Sequence, residues 1–155
     1  MGKRPTGSGG EPSSPNRGYS AGGKARLIFF LRCQWQRAAV SPCRDHYSGE
    51  VGQIDPQLFH LLHHLRQTLG TEQPFEIISG YRSPLTNATL RQRRAGGVAK
   101  RSLHMEGKAL DVRLPGVPLS ELRDAALDLR AGGVGFYPRE QFVHIDTGAV
   151  RHWAG

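Results

Sequence analysis

The stretch Ser102-Leu103-His104-Met105-Glu106-Gly107-Lys108-Ala109-Leu110-Asp111 sets an imidazole and a carboxylate on either side of a glycine, with six residues between His104 and Asp111. Gly107 lets the chain turn between them. Ala109 to Leu114 then reads as a strand carrying Asp111, broken by Pro115-Gly116. Far downstream, Phe142-Val143-His144-Ile145-Asp146 is also strand-like. Two imidazoles and one carboxylate, with a fourth position left to water, is the ligand count of a catalytic zinc site. His104, Asp111 and His144 are therefore the expected metal ligands and Zn2+ the expected cofactor. Such an ion lowers the pKa of its water to about 7 and polarises a substrate carbonyl. Ser102 is near enough in sequence to hydrogen-bond the His104 imidazole and fix its orientation. The alternative, a buried His–Asp pair that only satisfies itself, is weakened by His144, which also lies in an apolar run.

Working outward, Asp55-Pro56 opens a helix with a capping side chain followed by proline at the first helical position. Leu58, Leu61, Leu62, Leu65 and Leu69 recur at helical spacing, and Gly70 ends the run. His60, His63 and His64 fall beside or opposite that stripe, so they are expected on a solvated face and not as a metal cluster. Phe75 to Ser79 alternates as a strand, Gly80 to Pro84 turns, and Thr86 to Arg94 forms a helix. Gly96-Gly97 and Lys100-Arg101 make a loop. Ser120 caps an amphipathic helix through Arg130, with Leu119, Leu122, Ala126 and Leu129 toward the core. Val134 to Tyr137 and Gln141 to Asp146 are the two last strands expected. The whole predicts an α+β domain: a small, mostly antiparallel sheet with helices packed on one face.

The chain has 155 residues, enough for one domain with a single core. Its net charge of +8 invites a nucleic-acid reading. Residues 1–44 hold eight of the Lys/Arg against Glu11 alone, so +7 of the +8 lies there and not around the motif. No nucleic-acid partner is expected for the domain. No apolar run approaches the roughly 20 residues that cross a bilayer. Residues 1–24 are Gly/Ser/Pro-rich and expected to be disordered. Leu27 to Leu31, closed by Arg26 and Arg32, is a short strand or an unpacked patch, too short for the apolar region of an intact secretory signal. Cys33 and Cys43 leave a disulfide, two free thiols or a segment outside the fold all open. The expected division is an atypical basic segment at 1–43, disordered or non-native, and a zinc peptidase domain at 44–155.

Ile78-Ser79-Gly80-Tyr81-Arg82-Ser83-Pro84-Leu85-Thr86-Asn87, the stretch from Val98 to Asp111, Gly132-Gly133-Val134-Gly135-Phe136-Tyr137-Pro138, and Phe142 to Gly148 with Arg151 and Trp153 form one continuous pattern. It resembles the bacterial murein endopeptidase K family, within the D-Ala-D-Ala metallopeptidase superfamily, whose fold is Hedgehog-like. The resemblance runs from about Arg44 to the last residue. It implies zinc on His104, Asp111 and His144. Arg82 would meet a substrate carboxylate or the developing oxyanion, a task suited to the planar guanidinium. Tyr81 is a further candidate for substrate binding.

The implied substrate is the peptide stems of cross-linked peptidoglycan, and the implied location the periplasm, although residues 1–43 resemble no family leader. Relatives carry Glu three residues before the last zinc histidine, where this chain has Gln141. An amide takes no proton, so Asp146, on the same strand face as His144, is the leading candidate for the base and Glu106 a weaker one. The alternative function is a catalytically degenerate peptidoglycan-binding module. Oligomeric state has no handle in the sequence.

Overall fold

The fold is that of a computed structural model describing residues 25–27, 43–93 and 99–155. Asp55 caps helix α1 (Pro56–Thr68) through its carboxylate and the Gln57 N–H at 2.9 Å, as its sequence predicts. Strand β2 (Phe75–Ser79), helix α2 (Pro84–Arg93), a short 3-10 helix (Leu103–Glu106) and strand β3 (Ala109–Arg113) follow. Helix α3 (Leu119–Leu129) leads into β4 (Gly133–Tyr137), β5 (Phe142–Asp146) and β6 (Arg151–Ala154). Strand β1 (Ala25–Leu27) precedes them all.

These six strands make one sheet in the order β1-β2-β3-β5-β4-β6. Every pairing is antiparallel except β4 with β6, which is parallel. The α+β architecture is the expected one. Alternation along the strands separates two faces. Leu110, Val112, Val134, Val143 and Ile145 join Leu58, Leu62 and Leu65 of α1 and Leu122 and Ala126 of α3 in one core. Each fully buried aliphatic side chain there contributes roughly 1.5–3 kcal/mol by leaving water. The opposite face of the same strands carries Asp111, His144 and Asp146.

Three local expectations shift. Helix α3 begins at Leu119 with Pro118 at its N-cap and no side-chain cap, so Ser120 lies inside the first turn. Strand β6 is additional. Cys43 is buried, and its carbonyl accepts the Tyr81 N–H at 2.6 Å, so the packed unit includes this residue and strand β1. Cys43 is a free thiol, which burial pushes up to about 12. Residues 1–24 and 28–42, with Cys33, and the Gly96-Gly97 loop lie outside the described residues. No helix among the described residues is long and apolar enough to cross a membrane. His60 and His64 are exposed and His63 half-buried on α1, as the leucine stripe requires.

Candidate metal centre

Strand register builds two-thirds of the site. Asp111 on β3 stands directly opposite His144 on β5, so their side chains share a face. His104 comes from the 3-10 helix, which ends in Gly107 at φ +67°. A side chain at that glycine would run into the Gln53 carbonyl, so only glycine closes this turn. The His104 Nε2 lies 3.2 Å from His144 Nδ1 and 3.2 Å from Asp111 Oδ1, and His144 Nδ1 lies 2.9 Å from the same oxygen. All three residues are at most 9 % exposed, so little bulk water competes for them.

What the outer nitrogens do decides the chemistry. His104 Nδ1 is 2.8 Å from the Gly80 carbonyl, which can only accept, so that nitrogen carries a proton. His144 Nε2 is 3.0 Å from Asp146 Oδ2 and is likewise a donor. In the neutral form that binds a metal, both imidazoles would aim bare lone pairs at each other and at a carboxylate oxygen. Three acceptors converging in a buried spot repel unless a positive charge sits among them. Burial alone would lower the His144 pKa, but the hydrogen bonds and charges of Asp111 and Asp146 outweigh it and raise it to about 9. The two imidazoles hold the Asp111 carboxyl well below its usual range, although burial opposes them. A tetrahedral ion with bonds of about 2.0–2.1 Å spreads its ligand atoms about 3.3 Å apart, close to the separations here. The donor set fits a metal of zinc's size and ligand preference.

Asp146 lies apart from this convergence. It is fully buried, and its Oδ1 accepts from the backbone N–H groups of Gly133 at 3.0 Å and Gly148 at 2.9 Å. Arg151 donates to Oδ1 at 3.1 Å and to Oδ2 at 2.7 Å, beside the His144 contact. Burial would raise its pKa, but this set of donors holds the carboxyl well below the usual range. Both of its oxygens are thus engaged, and it is not among the residues that line the cleft. It shares the strand face of His144, and its Gly133 and Arg151 donors come from other strands. Glu106 is exposed and pairs with Lys108 at 2.9 Å, away from the cleft.

The cleft above His104, Asp111 and His144 encloses about 720 Å³. Arg82, Arg101, Glu140, Tyr137, Phe142 and Trp153 line it with His104, Asp111 and His144. Arg82 sits 3.9 Å from Asp111 Oδ2, its backbone N–H donates to the His104 carbonyl at 3.1 Å, and Asp45 pins the same turn through the Ser83 N–H at 2.8 Å. Tyr81 is not part of the lining; its ring lies over Gly52. Sequence alternation alone does not show this, because β2 carries a register shift between Ile77 and Ser79. Ser102 is not the group that fixes His104; the Gly80 carbonyl is. Glu140, missed in the sequence, lines the cleft from the β4–β5 turn. The signal was its place beside Gln141, which adopts φ +60° and turns its amide back onto the Pro138 carbonyl.

A His–Asp–His convergence on the sheet face opposite the helical core is a group that could hold a metal ion, and comparison with known proteins names the family. The family described as Peptidoglycan L,D-endopeptidase MepK matches residues 20–153, and the chain belongs to it. The Escherichia coli K12 protein "Peptidoglycan L,D-endopeptidase MepK" is 54 % identical over 110 residues, covering 71 % of this chain and 60 % of that protein. The Haemophilus influenzae "Probable peptidoglycan L,D-endopeptidase MepK" is 47 % identical over 113 residues, covering 72 % and 60 %. The chain thus matches about 60 % of the length of these curated relatives. Among solved structures, the Serratia marcescens L-Ala D-Glu endopeptidase ChiX gives a TM-score of 0.35 at 21 % identity, covering 48 % of this chain and 63 % of that one.

Proposed function

We propose that this domain is a zinc-dependent murein endopeptidase that hydrolyses L,D peptide bonds in the cross-links of periplasmic peptidoglycan. The observation that carries the reading is the convergence of three lone-pair donors, His104 Nε2, His144 Nδ1 and Asp111 Oδ1, at the base of a cleft. Zinc held by these residues would supply a Lewis acid and a water of lowered pKa. The remaining work belongs to the chain. Asp146 keeps the His144 proton on Nε2, so Nδ1 faces inward. The Gly80 carbonyl does the same for His104 through its Nδ1. Arg82, beside Asp111, presents a planar cation where a carbonyl oxygen gains charge or a substrate carboxylate lands. Glu140 is the carboxylate in the described cleft lining that is not engaged at the convergence, and it serves as the proton acceptor and then the donor to the leaving amine. Tyr137, Phe142 and Trp153 provide an apolar wall, with Trp153 Nε1 donating to the Tyr137 hydroxyl at 2.8 Å.

Digestion of purified cross-linked muropeptides, with and without a chelator, followed by mass analysis, tests this. Products of the mass of a severed cross-link should form, disappear on chelation and return with zinc. Stoichiometric zinc and sacculus binding without new products would instead establish the degenerate binding module, which Gln141 in place of glutamate favours.

A further inference from the structure

Strand β6 carries none of the three converging side chains, yet its Trp153 packs beside His144 and its Arg151 holds Asp146. Because β6 runs parallel to β4, Arg151 stands beside Gly133 and Trp153 beside Gly135, and Gly135 is itself opposite His144. Both glycines are occupied space. A Cβ on Gly133 would meet Asp146 Oδ2 at 2.5 Å and Arg151 Nη1 at 2.6 Å, and one on Gly135 would meet the Trp153 ring at 2.6 Å. The Gly-Val-Gly run of β4 is thus a bare track across which β6 lays a guanidinium and an indole toward His144. Arg151 grips both oxygens of Asp146 in a fork, at 3.1 and 2.7 Å, and its Nη1 also donates to the Ala149 carbonyl at 2.9 Å. The Trp153 ring lies 5.1 Å from the His144 ring and 5.1 Å from the Arg151 guanidinium.

We propose that Arg151 is a positioning residue of the metal centre, which fixes the orientation of His144 by holding Asp146 in a two-pronged ion pair. This rests on the metal reading above. Four partners around Asp146 leave its carboxylate one rotamer, and that rotamer aims Oδ2 at His144 Nε2. Without the fork, two backbone N–H groups remain on Oδ1 and nothing but His144 on Oδ2. The carboxylate can then rotate, and the imidazole with it. Arg151 touches none of the three convergent atoms, so its effect must pass through Asp146.

The test uses the full chain loaded with Co2+, whose visible absorption reports ligand geometry. Arg151→Ala, Arg151→Met and Arg151→Lys are compared with wild type for Co2+ affinity by chelator competition and for band position. The Arg151 side chain is 44 % exposed, so the fold should tolerate these changes; Met keeps the stem over Trp153 should Ala prove unstable. The expected result is an affinity about tenfold to hundredfold lower in Ala and Met with shifted bands, and Lys between them and wild type. A Met variant matching wild type in both affinity and spectrum overturns the proposal while leaving the metal site standing. Failure of wild type to bind Co2+ overturns both.

Discussion

The two faces of the β3–β5–β4 segment are built from alternate residues of the same strands, yet they follow opposite rules. On one, Leu110, Val112, Val143, Ile145 and Val134 meet helices α1 and α3 in an apolar core that stabilises the fold by burial. On the other, Asp111, His144 and Asp146 are nearly as buried but are all polar, and every atom in contact must be matched by charge or hydrogen bond. The first face tolerates any good filling of volume. The second depends on which nitrogen holds a proton. Function here is the cost of an unbalanced polar face carried by a well-packed apolar one.

The sharpest way to break this contrast is His104→Ala, which leaves the apolar face untouched. Cleavage of muropeptides should fall to background and bound zinc should be lost by elemental analysis, while the circular dichroism spectrum stays native. Glu140→Gln comes next. It should reduce kcat about a hundredfold to ten-thousandfold with zinc content unchanged, since only the proton acceptor is removed; near-normal turnover would return the search for the base to other groups in the cleft. On the opposite face, Leu110→Ala, at a position 0 % exposed, should cost about 2–5 kcal/mol in denaturant unfolding. Metal affinity measured well below the unfolding transition should change far less.

A fourth prediction concerns pH. With its pKa raised to about 9, His144 carries a proton at neutral pH that an incoming ion must displace. Metal affinity should rise about tenfold per pH unit up to about 9 and flatten above it, with proton release visible by calorimetry in buffers of different ionisation heat. In the metal-free protein the sign reverses for stability. The charged His144 contributes fully below about 6.5, its ordinary pKa, and that contribution is lost as pH climbs through about 9. Asp111 and Asp146, both lowered, contribute above the usual carboxylate range and lose it as pH falls. The smallest effect belongs to His64→Ala on the exposed side of α1: stability within about 0.5 kcal/mol and unchanged zinc stoichiometry.

The sequence made much of this legible because the decisive features are local. Helix α1 announces itself by Asp55-Pro56 and a leucine stripe, and β2 was placed residue for residue by alternation. The convergence of Asp111 and His144 is legible because strand alternation keeps each on one face, and the register supplies the rest. What escaped was non-local. Arg151-His152-Trp153-Ala154 has no apolar alternation, since β6 is an edge strand whose place is fixed by two glycines on β4. The surroundings of Asp146 are not legible in its strand, because its five hydrogen-bond donors come from β4, β5, β6 and the turn before β6. Glu140 was overlooked because a left-handed residue at Gln141 decides which side chain of that hairpin faces the cleft.

Gly107 has one more implication. Its carbonyl accepts the Asp55 N–H at 2.9 Å, and the next residue is tied on both sides, Lys108 N–H to the Leu103 carbonyl at 2.9 Å and its own carbonyl to the Thr147 N–H at 3.1 Å. The count from His104 to Asp111 is therefore clamped at its midpoint, and slack on one side cannot be absorbed on the other. Adding or deleting one residue after Lys108 would invert the phase of β3, turning the carboxylate into the oily layer and a leucine toward the imidazoles. Point changes can tune this site gradually, but its spacing admits no frame other than the one it has.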